Sequence, residues 1–284
     1  MSSIWDPLSL HPPSHSDALK VSFPQEHVMF MTLNRPRHLN AMTPQLTTDI
    51  AAILNWFDDQ SSLWVVVITG EGRAFCAGAD LKAWLQRQTS GKANEQEDIA
   101  SSVHGFASIS RRRTCKPMIA AVNGSAYGGG VEMILNCDIV IASEDAVFAL
   151  PEVKRGVLAA QGVIPRLARV AGHQLASEML LLGNNVTAVE ARDRFRFVNI
   201  VVEKSAVIPT ALEIARQMIN NSPDSVQSSK EGLLLSQKHH FEEAVQTQSL
   251  SFVSKRLYQG ENIKARHVSS IFIPQDSGIL ILLS

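Results

Sequence analysis

The sequence predicts an α/β core followed by a helical region, and two observations lead to this prediction. Apolar, β-branched runs typical of strands buried on both faces alternate with segments of helical periodicity, as in parallel sheets with right-handed crossovers. From about residue 205 onwards, the periodic segments are helical only. A chain of 284 residues is long enough for one large domain with such an appendage.

The strand predictions depend on apolar runs that end at turn residues. HVMFMTLN (27–34) stops at an Arg-Pro turn, and LWVVVIT (63–69) stops at Gly-Glu-Gly. PMIAAV (117–122) and CDIVIAS (137–143) repeat the pattern, with a short helix expected between them. These runs predict at least two βαβ-type units with buried strands.

A helix is expected between the first two strands. Thr43 suits its N-cap and Pro44 suits its first turn. The following apolar positions have helical spacing and predict one buried stripe: Leu46, Ile50, Ile53, Leu54 and Phe57. Three more helices are expected after residue 205, in IPTALEIARQMI, SVQSSKEGLLLSQ and HFEEAVQTQSLSFVSKRLY.

The predicted boundaries give a flexible leader (1–20), an α/β core (21–204), a helical region (205–262) and a divergent tail (263–284). The leader is rich in Pro, Ser and His, and it resembles neither a secretory signal nor a transit peptide. The apolar end of the tail is shorter than the roughly 18–20 residues that cross a bilayer. It is also no S-K-L peroxisomal address.

Composition excludes several classes of protein. The net charge of −1 gives no reason to expect nucleic acid or an anionic membrane as a partner. Cys76, Cys115 and Cys137 lack CxxC spacing, so we expect reduced thiols and neither disulfides nor a metal site. A soluble intracellular protein is expected, with the cytoplasm favoured and the peroxisome or mitochondrion as alternatives.

The stretch NGSAYGGGVEMILNCD (123–138) has the strongest functional signal. A strand that runs through Gly128, Gly129 and Gly130 into a helix lets the backbone approach a ligand and directs unpaired N–H groups towards it. Neither GxxxxGK[ST] nor GxGxxG is present, which favours an oxyanion site over a phosphate site. Close packing of helix on strand is the alternative explanation of the same glycines.

A second small-residue turn and two acids complete the candidate site. GRAFCAGADLK (72–82) follows a buried strand, and its Ala-Gly-Ala turn could supply a second N–H to the same oxygen. Glu132 lies one helical turn after Gly129, and Glu152 follows the short strand VFAL. Two acids in one dry pocket can divide general-acid and general-base work, although a lone Glu on a helix is often solvated.

Four stretches, in order along the chain, resemble motifs of the enoyl-CoA hydratase/isomerase (crotonase) family: NRPRHLNAM, GRAFCAGADLK, KPMIAAVNGSAYGGGVEMILNCDIVIAS and FALPEVKRG. The resemblance spans about residues 20–260. It implies a spiral of ββα units whose C-terminal helices build trimers, often stacked as hexamers. It also implies a 2-enoyl-CoA hydratase without a permanently bound cofactor, coenzyme A being part of the substrate. A Δ3,Δ2-enoyl-CoA isomerase and a catalytically weak acyl-CoA-binding subunit are the alternatives.

The resemblance also implies roles for individual residues. It places the oxyanion hole on the N–H groups of Ala79 and Gly129, and the two catalytic acids at Glu132 and Glu152. Glu152 would protonate Cα of the substrate, while Glu132 would orient and activate the water. The residues that it implies for contact with the substrate and its CoA are Arg37, His38, Leu39, Ala77, Gly78, Asp80, Leu81, Gly128 and Pro151.

Two positions depart from the family pattern. Ala159-Ala160 stand where hydratases often have Pro-Gly, which changes the hydrogen bonding expected for the water. Arg196 stands where a glycine is common, so a positive φ there would be strained.

Three weaker signals favour structural explanations. The run Arg111–Arg113 could reach CoA phosphates, but a solvated helix end is favoured. His239-His240 fits a solvated face better than a metal site, and Cys76 fits small-residue packing better than a nucleophile.

Overall fold

The computed structural model describes residues 9–89 and 101–259, in which the strands form two sheets. The larger sheet contains, in spatial order, β1 (Leu19–Gln25), β2 (Val28–Leu33), β3 (Val65–Gly70), β5 (Met118–Val122), β7 (Ile139–Ser143) and β10 (Ile200–Val202). The smaller sheet contains β4 (Ala74–Cys76), β6 (Ser125–Tyr127), β8 (Val147–Ala149) and β9 (Val186–Thr187). Among the strand pairs of the described residues, only β1–β2 and β8–β9 are antiparallel.

Successive strands alternate between the two sheets. From β3 to β8, each odd strand joins the larger sheet and each even strand joins the smaller one, so both sheets grow together. The helices in the described residues are α1 (Pro44–Asp59), α2 (Leu81–Thr89), α3 (Gly129–Ile134), α4 (Val163–Ala171), α5 (His173–Leu182), α6 (Ala188–Asp193), α7 (Val207–Ile219), α8 (Pro223–Ser236), α9 (Phe241–Ser249) and α10 (Phe252–Gln259). This arrangement confirms the predicted α/β spiral of ββα units.

The larger sheet is covered on both faces, which explains its continuous apolar strands. Alternate residues of a strand face opposite sides: Val66 and Ile68 belong to one buried cluster, and Val65 and Val67 belong to another. The first cluster includes the predicted stripe of α1, whose N-cap Thr43 accepts a hydrogen bond from the Leu46 N–H at 3.2 Å. The second cluster includes three small or branched residues of α7: Val207, Ala211 and Ala215.

The structure differs from the predicted boundaries in two places. The chain divides into two compact units between Pro223 and Asp224, later than the predicted boundary at 204–205, because α7 packs on the sheet. At the other end, Leu19 is buried and begins β1, and the Ser16 hydroxyl donates to Asp49 Oδ2 at 2.5 Å. The end of the predicted leader is therefore packed on the core, whereas residues 1–8 and the predicted tail (263–284) lie outside the described residues.

One predicted helix is two helices in the structure. HFEEAVQTQSLSFVSKRLY forms α9 and α10, with a break at Leu250 and Ser251. The Ser251 hydroxyl accepts a hydrogen bond from the Ser254 N–H at 3.1 Å, which caps a new helix start. Across residues 9–89 and 101–259, no helix combines the length and the apolar character needed to cross a membrane.

Candidate active site

Three short parallel strands bring the predicted site residues to one edge of the smaller sheet. β4, β6 and β8 are neighbours, and they are followed by the Ala77–Ala79 turn, the Gly128–Gly129 turn and Pro151-Glu152, respectively. Segments that follow the carboxyl ends of adjacent parallel strands emerge side by side. Local strand order therefore gathers residues that are more than 70 positions apart in the sequence, such as Ala79 and Glu152.

The first turn leaves the Ala79 N–H unused by the fold. Ala79 forms a parallel bridge with Met42, in which the Met42 N–H donates to Gly78 O at 2.8 Å and the Asp80 N–H donates to Met42 O at 2.9 Å. These bonds use the groups on either side of Ala79, so its own N–H is turned away from Met42. Within the part of the chain that the structure describes, this N–H donates no hydrogen bond.

The second turn exposes the Gly129 N–H in a similar way. The Gly128 N–H donates to Ala149 O at 2.9 Å and ties the turn to β8. Gly129 is the first residue of α3, so its N–H has no acceptor within the helix. No acceptor for it occurs elsewhere in the described ranges.

Backbone contacts hold the two turns together. A Cβ atom at Gly78 would lie 2.9 Å from Tyr127 O and 3.5 Å from Gly129 N, and Gly78 has a φ of +87°. A Cβ atom at Gly130 would overlap the carbonyl of Cys76. Glycine is required at both positions because the main chains approach to contact distance. The two predicted oxyanion-hole segments are therefore immediate neighbours.

Glu132 is buried beside the second turn, with only 3% of its surface exposed. Its Oε1 accepts hydrogen bonds from the Gln161 N–H at 2.8 Å and the Val163 N–H at 3.5 Å. Burial raises the pKa of Glu132 to about 7, against the lowering effect of these two donors. The charge of Glu152 raises this pKa further and that of Arg111 lowers it. The solvated alternative for Glu132 is therefore wrong.

Glu152 lies on the other side of the same turn. It belongs to the short 3₁₀ helix Pro151–Arg155, and its Oε1 would lie 2.6 Å from a Cβ atom at Gly128. Its Oε2 is buried and has no hydrogen-bond partner among the described residues. Burial raises the pKa of Glu152, which favours the protonated form. An unsatisfied buried oxygen is costly, and this one lies 4.0 Å from the position of a Cβ atom at Gly128.

The loop predicted to contact CoA lies alongside the first turn. Arg37 and His38 are exposed on the 3₁₀ helix Pro36–His38, and the Leu39 carbonyl accepts a hydrogen bond from the Ala77 N–H at 3.0 Å. Leu81, at the start of α2, is 65% exposed. Arg37, His38 and Leu81 are therefore exposed on the segments that adjoin the Ala77–Ala79 turn.

Asp80 connects this loop to α2. Its Oδ2 pairs with Arg35 Nη2 at 3.0 Å, and its Oδ1 accepts hydrogen bonds from the N–H groups of Lys82 and Ala83. Burial alone would raise the pKa of Asp80, but the bonds from Arg35 and the helix N–H groups lower it. Arg35 was not predicted as a site residue. The available signal was its position in the motif NRPRHLNAM, directly before Pro36.

Phe106 was also missed. A Cβ atom at Gly129 would lie 2.5–2.6 Å from three carbons of the Phe106 ring, so the ring packs directly on the Gly129 backbone. Phe106 belongs to the short 3₁₀ helix Phe106–Ser108, in an irregular segment without strand or helix periodicity. A single aromatic residue in such a segment gives no signal that it belongs to a site.

The weaker sequence signals have separate outcomes. Arg112 is buried and pairs with Asp58 at 2.9 Å, so the predicted solvated helix end is wrong for this residue, whereas Arg113 is exposed. His239 pairs with Glu243 at 2.8 Å. Burial raises the pKa of the Cys76 thiol to about 12, which supports packing over nucleophilic chemistry.

The two departures from the family pattern are also visible. The loop that contains Ala159-Ala160 still supplies a backbone donor, the Gln161 N–H, and it is directed at Glu132. Arg196 has a φ of +61°, as the glycine pattern implied. The described residues contain no group of three or more His, Cys, Asp or Glu side chains suited to a metal ion.

Comparisons with known proteins show which family the chain resembles. Residues 24–263 match the profile of the family described as Enoyl-CoA hydratase/isomerase. A relative named mevalonyl-coenzyme A hydratase, from Aspergillus fumigatus, is 48% identical over 213 residues, or 75% of this chain and 77% of the relative. The protein of the same name from Beauveria bassiana is 46% identical, over 78% of this chain and 80% of its own length.

A bacterial relative and a solved structure extend the comparison. The 2,3-dehydroadipyl-CoA hydratase of Escherichia coli is 36% identical over 75% of this chain and 81% of its own length. The crystal structure of an enoyl-CoA hydratase from Mycobacterium tuberculosis superposes with a TM-score of 0.78 at 27% identity, covering 88% of this chain and 93% of that one.

Proposed function

The chain belongs to the enoyl-CoA hydratase/isomerase family and acts as an enoyl-CoA hydratase, and we propose that the two adjoining turns and the two buried acids perform its reaction. The observation that carries the proposal is the position of the Gly128–Gly129 turn. It contacts Gly78 on one side and the Glu152 carboxyl group on the other. Two unused N–H groups and two acids are therefore gathered at one place.

In the proposed mechanism, the thioester oxygen of a 2-enoyl-CoA accepts hydrogen bonds from the N–H groups of Ala79 and Gly129. This polarises the carbonyl group and makes Cβ electrophilic. When water adds to Cβ, negative charge develops on the same oxygen as an enolate forms. The two donors therefore stabilise the transition state more than the ground state, and a single donor of this kind contributes roughly 3 kcal/mol in other enzymes.

The two acids divide the proton transfers. Ionised Glu132 takes a proton from the attacking water, whose oxygen forms a bond to Cβ, and protonated Glu152 gives its proton to Cα. A pKa of about 7 suits Glu132 to a base near neutral pH, while the raised pKa of Glu152 favours the proton-donating form. Protein groups supply each proton and donor in this scheme, and coenzyme A enters as part of the substrate.

The test compares Glu132→Gln and Glu152→Gln with the wild type, using crotonyl-CoA and the loss of absorbance of the conjugated thioester. Each substitution should lower kcat by about 100-fold or more, because it removes a proton-transfer group. Glu144→Gln, a change at an exposed acid, is the matched control and should leave turnover unchanged. Wild-type turnover in Glu132→Gln would contradict the mechanism. Conversion of a 3-enoyl-CoA without hydration of the 2-enoyl isomer would favour an isomerase.

For the acyl group, we propose a short, branched and hydroxylated chain of the mevalonyl type. The support is that the two relatives named mevalonyl-coenzyme A hydratase are 48% and 46% identical, against 36% for the dehydroadipyl-CoA enzyme. Mevalonyl-CoA has a hydroxyl group on C3, so its dehydration produces a conjugated 2-enoyl thioester. A panel of mevalonyl-CoA, 3-hydroxybutyryl-CoA and 3-hydroxyadipyl-CoA measures the preference. A higher kcat/KM for a linear substrate would overturn it.

For the assembly, we propose a homotrimer. Two such trimers, stacked on each other, would form a hexamer. Large apolar side chains on α9 and α10 and between them support this proposal, since Phe241, Leu250 and Phe252 are 79%, 68% and 76% exposed. Exposed apolar groups of this size in a helical unit are typical of subunit contacts.

A further inference from the structure

The segment that holds Phe106 has a strained backbone. Gly105, Ala107 and Ser108 have φ values of +66°, +54° and +57°, respectively. The left-handed region costs a non-glycine residue roughly 1–2 kcal/mol, and two such residues stand here in a row. Strain of this kind persists where surrounding contacts enforce it, and it is concentrated at functional sites. The residue that this turn presents is Phe106, whose ring packs on Gly129.

One buried hydroxyl group connects this turn to Glu132. Ser110 is 0% exposed, and its Oγ accepts a hydrogen bond from the Phe106 N–H at 2.8 Å. The same hydroxyl donates to Gln161 O at 2.7 Å. The Gln161 N–H in turn donates to Glu132 Oε1 at 2.8 Å. A continuous chain of hydrogen bonds therefore runs from the Phe106 N–H through Ser110 and Gln161 to Glu132.

The surroundings of Ser110 are closely packed. A Cβ atom at Gly105 would overlap Ser110 Oγ, and one at Gly162 would lie 3.3 Å from Ser110 O. On the opposite side, Asn136 Nδ2 donates to Ile109 O at 2.5 Å and to Arg112 O at 3.0 Å. Asn136 lies two residues after the end of α3, the helix that contains Glu132. The Ser110 segment is thus attached both to the helix of the acid and to the loop that donates to it.

We propose that Ser110 is a positioning residue of the hydration reaction, one that sets Phe106 on the Gly129 backbone and the Gln161 N–H on Glu132 with a single hydroxyl group. This proposal rests on the proposed function, because Gly129 is assigned there to the oxyanion hole and Glu132 to the base. Removing the hydroxyl leaves the Phe106 N–H and the Gln161 carbonyl without their shared partner. The Phe106 ring and the Gln161 N–H then lose their alignment together.

Loss of this bridge should be visible in the pH profile. The Gln161 N–H stabilises the ionised form of Glu132, as the nearby positive charge of Arg111 does, while the Glu152 charge and burial oppose ionisation. When the Gln161 peptide is no longer held, Glu132 ionises at higher pH. The acidic limb of the kcat profile therefore moves upward, whereas a purely structural defect would leave its midpoint in place.

The experiment compares Ser110→Ala with Thr114→Ala. Thr114 is a matched control on the same segment, since its buried hydroxyl also accepts one main-chain bond, from Lys116, and donates one bond, to Asp58 at 2.6 Å. Ser110→Ala should lower kcat about tenfold, as expected for a small misalignment of reacting groups. It should also move the acidic limb upward by about 0.5–1 pH unit, with little change in KM. Thr114→Ala should lose thermal stability without either kinetic effect.

Ser110→Cys gives a second variant of nearly the same volume but with a weaker donor, for use if the alanine variant unfolds. It should show the same changes in milder form. Wild-type kcat and an unmoved acidic limb in a folded Ser110 variant would overturn the inference alone. If Glu132→Gln keeps wild-type turnover, the proposed function itself fails, so the two failures are distinguishable.

Discussion

Glu132 combines two demands that conflict. As the proposed base it must ionise near neutral pH, yet it is 3% exposed and burial disfavours its charged form. The folded state binds its proton up to about pH 7, whereas the unfolded chain releases it near 4.5. In that window the folded state binds more protons than the unfolded state, so this group's contribution to stability decreases as pH rises. The ionised base therefore destabilises the fold that holds it.

The first residue-scale prediction is that Glu132→Gln stabilises the protein at pH 8 while it abolishes hydration. The amide oxygen can still accept the Gln161 bond, and the cost of the buried charge, on the order of 3 kcal/mol, is removed. Thermal unfolding at pH 8 and pH 4.5 should show a gain at the higher pH only. Glu144→Gln should show no such pH dependence, and a loss of stability at pH 8 in Glu132→Gln would sink the prediction.

The second residue-scale prediction concerns the contact between Gly129 and Phe106. In Gly129→Ala, the new methyl group would lie 2.5 Å from the ring, so the ring or α3 must shift. We expect a loss of stability of about 1–3 kcal/mol together with a large fall in kcat. Phe106→Ala makes room for the methyl group. The double variant should therefore lose less stability than the two single variants lose in total. Simple additivity in denaturant titrations would contradict the contact.

At the scale of elements, Asp80 joins three parts of the chain. It pairs with Arg35, directly follows the Ala77–Ala79 turn and accepts hydrogen bonds from the N–H groups at the start of α2. A single carboxylate thus fixes the proposed CoA loop relative to the Ala79 N–H, the first proposed donor. This geometry predicts that Asp80 influences both stability and substrate affinity.

The element-scale prediction is that Asp80→Ala lowers stability by about 1 kcal/mol or more through the lost helix cap, and also raises KM for acyl-CoA. Thr187→Ala is the matched control, because Thr187 caps α6 through a bond from the Glu190 N–H at 3.2 Å. The control should lose similar stability with an unchanged KM. An unchanged KM in Asp80→Ala would show that the loop keeps its position without the ion pair.

The sequence predicted elements whose signal is local. β3 was predictable from its apolar run and α1 from its apolar stripe, because both patterns can be recognised without knowledge of the fold. β1 was missed, and its first two residues were assigned to the leader. The polar residues before Leu19 gave no sign that Ser16 is bonded to Asp49. β8 was predicted as the short strand VFAL, but the other strands of the smaller sheet have only two or three residues each, too few to show a period.

The candidate site divides in the same way. Glu132 and Glu152 were predicted from motifs, and the structure places both beside the Gly128–Gly129 turn. The Gln161 donor is a main-chain group, so its residue type carries no signal. Ser110 acts through partners four and 51 residues away, a relation that only the folded chain reveals.

At the scale of the whole molecule, the site is a product of the spiral. The two donor turns and Glu152 follow β4, β6 and β8, and each ββα repeat contributes one of these segments to the same edge. Adjacent repeats thereby place the two proposed donor turns and the proposed acid in consecutive positions. The repeated topology thus accounts for the placement of these three segments side by side.

The whole-molecule prediction concerns assembly. Light scattering should give a mass of three or six chains for the wild type. Phe241→Asp combined with Phe252→Asp should lower it, because charged groups would then occupy exposed apolar positions of the helical unit. Gln246→Asp, which adds charge at another exposed position of α9, is the control and should keep the wild-type mass. A monomeric wild type at micromolar concentration would contradict the proposal.

The contacts of Gly78 with the Tyr127 carbonyl and of Gly130 with the Cys76 carbonyl have a consequence for how such an enzyme can change. Main chain touches main chain there, so no side chain determines the separation of the two donor segments. Substitutions that reshape the acyl cavity would leave this separation intact. New substrate preferences could therefore arise by exchanging residues around the acyl group, while the two proposed N–H donors keep their spacing.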